Sequence, residues 1–214
     1  MPSLLRLDSS AAAGRNSVSR TLTGEFDRAW TARGGDRTVV HRDLHADPVP
    51  HLPDAELHWP RDMRPDTVVD AAAERLQYAL IDELLAADVL LLGVPLYNYG
   101  LPSTLKAWID HVHVPGVTAA LPGGSTRPLA GRPAVVVTAQ GASYDDGSPT
   151  AGWDHATPHL EIVLGEVFGM SVTTVPVPLT LAGRLPALAG FREVAEQNLA
   201  GARARLGELA STLG

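Results

Sequence analysis

Apolar and polar positions alternate between two spacings along this chain. Ser3 to Leu7 is a short apolar run that stops at Asp8-Ser9-Ser10, which predicts a strand and a turn. From Ser17 the spacing becomes helical, with Leu22, Phe26 and Trp30 at steps of four before Gly34-Gly35 ends the segment. Thr38 to Leu44 predicts a second strand. Ala46 to Pro65, rich in Pro, Asp and His, lacks a period and predicts an excursion over the surface.

Val68, Ala72, Leu76, Leu80 and Leu84 repeat every four residues and predict a helix running into Ala87-Asp88. Val89 to Val94 is continuously apolar up to Pro95, as a central parallel strand covered on both faces should be. A helix then starts near Pro102, and a Gly- and Pro-rich loop runs from Val114 to Pro133. Ala134 to Thr138 and Val172 to Val177 predict strands, Thr157 to Phe168 a helix closed by Gly169, and Pro186 to Leu213 a terminal helix. Five strands alternating with five helices predict an α/β domain of doubly wound type over residues 1–214, with a parallel sheet and helices on both faces.

Composition narrows the functions. A 45% hydrophobic share with 19% charged residues is ordinary globular usage. The formal charge of −7, without a basic run, offers no footprint for nucleic acid. With no cysteine, disulfides, thiolate metal sites and cysteine nucleophiles are excluded, so redox chemistry would need a bound cofactor. The amino terminus lacks a secretory apolar core, and no apolar run approaches the roughly 18 residues of a spanning helix, so the expected setting is cytoplasmic, away from membranes.

Open parallel sheets bind ligands outside the carboxyl ends of their strands, where the winding reverses. After strand one, small residues from Ser9 to Ser19 lead into a helix amino terminus, whose N–H groups, with the hydroxyls of Ser10, Ser17 and Ser19, suit a phosphate dianion. Ser17 or Asn16 equally suits a helix cap. The loop lacks the glycine spacing of a Walker A or dinucleotide motif, which points to a mononucleotide. After strand three, Pro95-Leu96-Tyr97-Asn98-Tyr99-Gly100-Leu101-Pro102 can lay rings and N–H groups along a flat heteroaromatic edge, or simply form a rigid turn. His155 with His159, and His111 with His113, have no accompanying ligand motif, so no metal is expected; His155 reads as a cap or packing residue and His113 as near the pocket wall. Asp145-Asp146-Gly147 reads as a turn, and there is no Gly-x-Ser-x-Gly elbow.

Pro95 to Pro102, followed by Ser103-Thr104-Leu105-Lys106-Ala107-Trp108-Ile109-Asp110, resembles the flavin loop and helix of the FMN-dependent NADH-azoreductases, a branch of the flavodoxin-like quinone reductases. Ser10 with Ser17-Val18-Ser19 resembles their phosphate loop, Gly116-Val117-Thr118 their post-helix turn, and Val135 to Gly147 their second flavin loop. With Trp153 to Gly169, the resemblance covers most of the chain. It implies a flavodoxin-like five-stranded sheet and FMN contacts at Ser10, Ser17, Val18, Ser19, Leu96, Tyr97, Asn98, Tyr99, Ala139, Gln140, Gly141 and Ala142.

Many relatives read Ser-Arg-Gly-Gly where this chain has Ala139-Gln140-Gly141-Ala142, and Tyr144 and Ala119 stand where histidine or an aromatic is common, marking those two for the substrate pocket. The implied activity is hydride transfer from NADH or NADPH to a quinone or azo compound by a ping-pong mechanism, with Asn98 as the catalytic side chain at the flavin edge. The implied assembly is a homodimer covering an aromatic rim of Tyr97, Tyr99 and Trp108. The alternatives are a flavodoxin-type electron carrier, which an acidic surface would suit, and a flavin-binding regulatory module.

Overall fold

The computed structural model describes residues 1–12, 14–64, 68–121, 123–124 and 127–214. Position 13 of the first loop, the end of the excursion at 65, and positions 122, 125 and 126 of the Val114 to Pro133 loop lie outside the described residues. The elements run β1 (Ser3–Asp8), α1 (Val18–Thr31), β2 (Thr38–Asp43), α2 (Ala71–Ala86), β3 (Val89–Pro95), α3 (Ser103–Val112), β4 (Pro133–Ala139), α4 (Ala156–Leu160), β5 (Ser171–Val177) and α5 (Arg192–Thr212). The strands form one parallel sheet in the order β2-β1-β3-β4-β5. That order is the doubly wound, flavodoxin-like one, with its reversal between β1 and β3.

Alternate residues of each strand serve opposite faces. Leu4, Leu91, Val135 and Val137 pack with Leu22, Phe26 and Trp30 of α1 and with Leu206 and Leu209 of α5. Leu5, Leu7, Leu90, Leu92 and Val136 pack instead with Leu80 and Leu84 of α2, Trp108 and Val112 of α3, and Leu160 and Phe168. Every residue of β3 is buried, as its unbroken apolar run requires.

Three helices differ from the periodic reading. Val68 is 97% exposed, and α2 starts at Ala71 because the Asp70 carboxylate caps it, accepting the N–H groups of Ala72 and Ala73. Residues beyond α4 continue as a π-helix, Glu161–Val167, with Phe168 N–H donating to the Val163 carbonyl five residues back at 3.0 Å. A four-residue apolar repeat does not separate that winding from an α-helix. The terminal segment divides into a 3-10 helix, Pro186–Phe191, and α5, which runs unbroken through Gly201 and Gly207.

The excursion after β2 is tied down more firmly than its composition suggests. Gln77, buried in α2, donates to the Leu57 carbonyl at 2.7 Å and to the His111 carbonyl at 3.0 Å. His111 Nε2 lies 3.0 Å from the Pro50 carbonyl.

Candidate active site

Loops from the carboxyl ends of β1, β3, β4 and β5 meet in a cleft of about 400 Å³ at the reversal point of the sheet. One wall is the start of α1. Ser17 is its N-cap, with its hydroxyl accepting the Arg20 N–H at 3.3 Å and lying 3.3 Å from the Ser19 hydroxyl. Helix geometry leaves the N–H groups of Val18 and Ser19 without intrahelical acceptors. A capped helix start and a phosphate seat are therefore compatible, since a hydroxyl can accept from Arg20 and still donate to an anion.

The loop leading there is pinned on three sides. Ser9 donates through both N–H and Oγ to the Gly93 carbonyl, Ala11 N–H donates to the Tyr97 hydroxyl at 2.9 Å, and the Ser10 hydroxyl lies 3.4 Å from that of Tyr97. The Arg20 guanidinium donates to the Ser10 carbonyl at 2.6 Å and forms two bonds to Asp43 at 2.5 and 2.6 Å. Those bonds hold the Asp43 carboxyl well below the ordinary carboxylate range against the opposing effect of burial.

Beneath the loop, Asp8 is fully buried. Burial alone would raise its pKa, but bonds with His41 at 2.9 Å and Thr23 at 2.6 Å, with the Arg6 charge at 2.7 Å, outweigh it and lower the value. Gly93 makes this possible, because a Cβ there would lie 2.8 Å from Asp8 Oδ1.

The β3 loop closes in a two-residue turn, in which Tyr97 and Gly100 exchange backbone bonds of 3.1 and 3.0 Å. Asn98 and Tyr99 sit at φ 48° and 69°. Asparagine tolerates that region, whereas a tyrosine there is strained by about 1–3 kcal/mol. Its carbonyl is held by His155 N–H at 2.9 Å, and its ring meets Trp153 and Tyr144 edge-on.

On the far wall, the segment after β5 is bonded to the β4 loop. Thr180 donates twice to the Gln140 carbonyl at 2.9 Å, and Leu181 N–H donates to the Gly141 carbonyl at 3.2 Å. A Cβ at Gly141 would lie 2.8 Å from Leu181 Cδ1, so this glycine permits the close approach.

Of the expected contacts, the cleft brings together Ser10, Ser17, Val18, Ser19, Leu96, Tyr97, Ala139 and Gly141. Asn98 and Tyr99 lie in the turn beyond Tyr97 and are not among its described lining residues. Gln140 turns its buried amide away, donating to Asp154 at 2.9 Å, and Ala142 lines a neighbouring apolar cavity with Leu179 and Phe191. Ala119 is corrected from the substrate pocket to the core, 1% exposed, where it pairs with Pro115. Trp108 is likewise fully buried and forms no part of an exposed rim.

His113 stacks on Phe168 at 6.0 Å, its pKa lowered by burial, and Asp154 rather than the His155 side chain caps α4. Thr180, Leu181 and Arg184 join the cleft without having been anticipated. The carboxyl-end rule applied to β5 points to them, but a Thr-Leu-Ala-Gly-Arg stretch carries no motif. Arg184 is the one cationic side chain among the described lining residues.

The model of a flavodoxin-like fold family matches residues 2–208. The chain belongs to that family. It is 53% identical over 214 residues, all of both chains, to a protein of Kineococcus radiotolerans named FMN-dependent NADH:quinone oxidoreductase. A protein of the same name from a Parafrankia species is 40% identical over 199 residues, 92% of each chain. Among solved structures, an azoreductase from Bacillus anthracis superposes with a TM-score of 0.83 at 21% identity over the whole of both chains. An FMN-dependent NADH-azoreductase from the same species, in complex with FMN, gives 0.79 at 18% identity over 98% of each. At those identities the likeness is one of fold.

The residues present suit a flavin mononucleotide. Paired serine hydroxyls, the start of α1 and the Arg184 side chain line the cleft and suit a phosphate, while Leu96, Tyr97 and Gly141 line it beside them and suit a flat ring.

Proposed function

We propose that this protein is an FMN-dependent NADH:quinone oxidoreductase. The observation that carries the reading is the convergence, in one cleft, of the Ser17-Val18-Ser19 helix start with the Leu96-Tyr97 loop. The name shared by relatives up to 53% identical favours an enzyme over an electron carrier or regulatory module.

FMN, when bound, supplies two-electron hydride chemistry that no side chain of a cysteine-free protein provides. The chain's own part is to bind and orient. Ser10, Ser17 and Ser19 would donate to the phosphate with the first N–H groups of α1, and the backbone of Leu96 to Tyr99 and of Ala139 to Ala142 would run beside the ring. Asn98, in the turn beyond Tyr97, would bring an amide donor to the ring edge, where it would stabilise negative charge. Tyr144, whose pKa is raised by burial and by neighbouring Tyr99 and Asp154, stands on the acceptor side.

NADH and a quinone then occupy one site in turn, giving ping-pong kinetics, with azo compounds as a second acceptor class. The expected assembly is a homodimer with the active site at the subunit boundary. Both core clusters flank a single sheet, which supports one FMN-binding domain over residues 1–214. No described helix is long and apolar enough to cross a membrane, and the cytoplasm, where NADH is supplied, is the expected setting.

Anaerobic mixing of the purified yellow protein with NADH tests the reading. Rapid bleaching, followed by recovery of the yellow colour on adding a quinone, is expected. A protein that takes up no FMN, or holds FMN that NADH does not bleach, overturns it.

A further inference from the structure

Three aromatic residues gather where the two ring-side loops meet. Tyr99 comes from the β3 turn, Tyr144 from three residues beyond Gly141, and Trp153 from the segment that enters α4. The Tyr99 ring lies edge-on to Trp153, with centroids 5.3 Å apart at 89°, and edge-on to Tyr144 at 6.4 Å and 82°. Tyr99 and Trp153 remain 44% and 48% exposed, so this contact does not exist to fill the core.

Trp153 is also held in place more strongly than an exposed loop residue requires. Its N–H donates to the Thr150 carbonyl at 3.1 Å. The next residue, Asp154, accepts from Gln140 Nε2 at 2.9 Å and from the N–H groups of Ala156 and Thr157, each at 2.9 Å. His155 N–H then bonds the Tyr99 carbonyl. The β4 loop, the start of α4 and the Tyr99 turn are thereby joined across Trp153. At Tyr99 the joint maintains a left-handed tyrosine, and strain of that kind persists only where surrounding structure over-determines it.

We propose that Trp153 is a specificity-determining residue of the acceptor site, forming with Tyr99 a right-angled aromatic corner that selects planar acceptors with fused rings over single-ring ones. This rests on the flavin reading above. Aromatic surfaces attract in offset-stacked and edge-to-face arrangements. A fused bicyclic acceptor is wide enough to stack on one ring of the corner while its edge meets the other. A single ring spans only one of those contacts. Tyr144 adds a second edge-on contact to the Tyr99 ring.

The test compares wild-type, Trp153→Ala and Trp153→Phe holoproteins. Binding of a naphthoquinone and of a benzoquinone to the oxidised protein is followed by perturbation of the flavin absorbance, and kcat/KM is measured for both quinones. Trp153→Ala is expected to weaken naphthoquinone binding roughly tenfold, as loss of an aromatic stacking partner should, and benzoquinone binding less than threefold. Trp153→Phe should recover most of the difference. FMN retention, measured on the same samples, should match wild type. Unchanged naphthoquinone binding in the alanine variant, or an equal loss for both quinones, overturns the proposal while leaving the flavin reading intact. Failure of the wild-type protein to hold FMN or to be bleached would instead remove the reading beneath it.

Discussion

The Ser17 hydroxyl accepts the Arg20 N–H at 3.3 Å while lying 3.3 Å from the hydroxyl of Ser19, so one oxygen both caps α1 and faces the cleft. Replacing both serines with alanine should therefore have two separable effects. Loss of two donors to a charged phosphate, at about 1.5–3 kcal/mol each, should raise the FMN dissociation constant more than tenfold. Loss of the cap should lower apoprotein stability by about 1 kcal/mol. FMN titration and denaturant unfolding of the apoprotein read them independently; a stability loss with unchanged affinity would leave Ser17 as a cap alone.

Arg184 gives the cleft a cation from the segment after β5. Arg184→Gln should weaken FMN binding about three- to tenfold at low salt, with the gap narrowing at high salt because the side chain is exposed. Riboflavin, which has no phosphate, should bind both proteins alike. Equal losses for the two flavins would place Arg184 away from the phosphate.

Gly93 is required by Asp8. A methyl group at position 93 would meet Asp8 Oδ1 at 2.8 Å and Thr23 Cγ2 at 3.1 Å, and neither partner sits on a flexible arm. Gly93→Ala should cost about 2–4 kcal/mol, lowering Tm by roughly 4–16 °C for a chain of this size. A Tm within a degree of wild type would mean that the Asp8 network gives way without cost.

The Asp8 and Asp43 carboxyls both titrate below their ordinary value of 3.8 in the folded protein. Their contribution to stability is thus complete above the unfolded value and is lost as pH falls below it, through the lowered folded values. Unfolding free energy should be flat from neutrality to about pH 5 with respect to these groups and fall steeply below pH 4. Asp43→Asn should be less stable than wild type at neutral pH, and the gap should shrink as the solution is acidified. A gap that widens in acid would contradict the Arg20 pairing.

Much of the fold was legible because strand and helix periods are distinct and the buried strand β3 is an unbroken apolar run. Serine-rich and aromatic loops could also be assigned to the cleft, since their chemistry is local. What escaped was set by tertiary contact. The direction of the Gln140 side chain could not be read from its own loop, because it is set by a bond to Asp154, 14 residues on. Ala119 and Trp108 look available in sequence, but core packing buries both. Arg184 follows the last strand in a stretch without any signature, and only the meeting of the β4 and β5 loops brings it into the cleft.

Arg20 joins parts of the molecule that usually behave differently. Strand β2 is the exposed edge of the sheet, the sort of element that frays first in native-state fluctuations, yet its last residue, Asp43, shares one guanidinium with the Ser10 carbonyl. Each opening of the edge removes a support of the phosphate loop, and a ligand that rigidifies the loop must in turn hold the edge closed. The amide protons of β2, none of which touches the cleft, thus become gauges of cofactor loading, exchanging more slowly as the site fills.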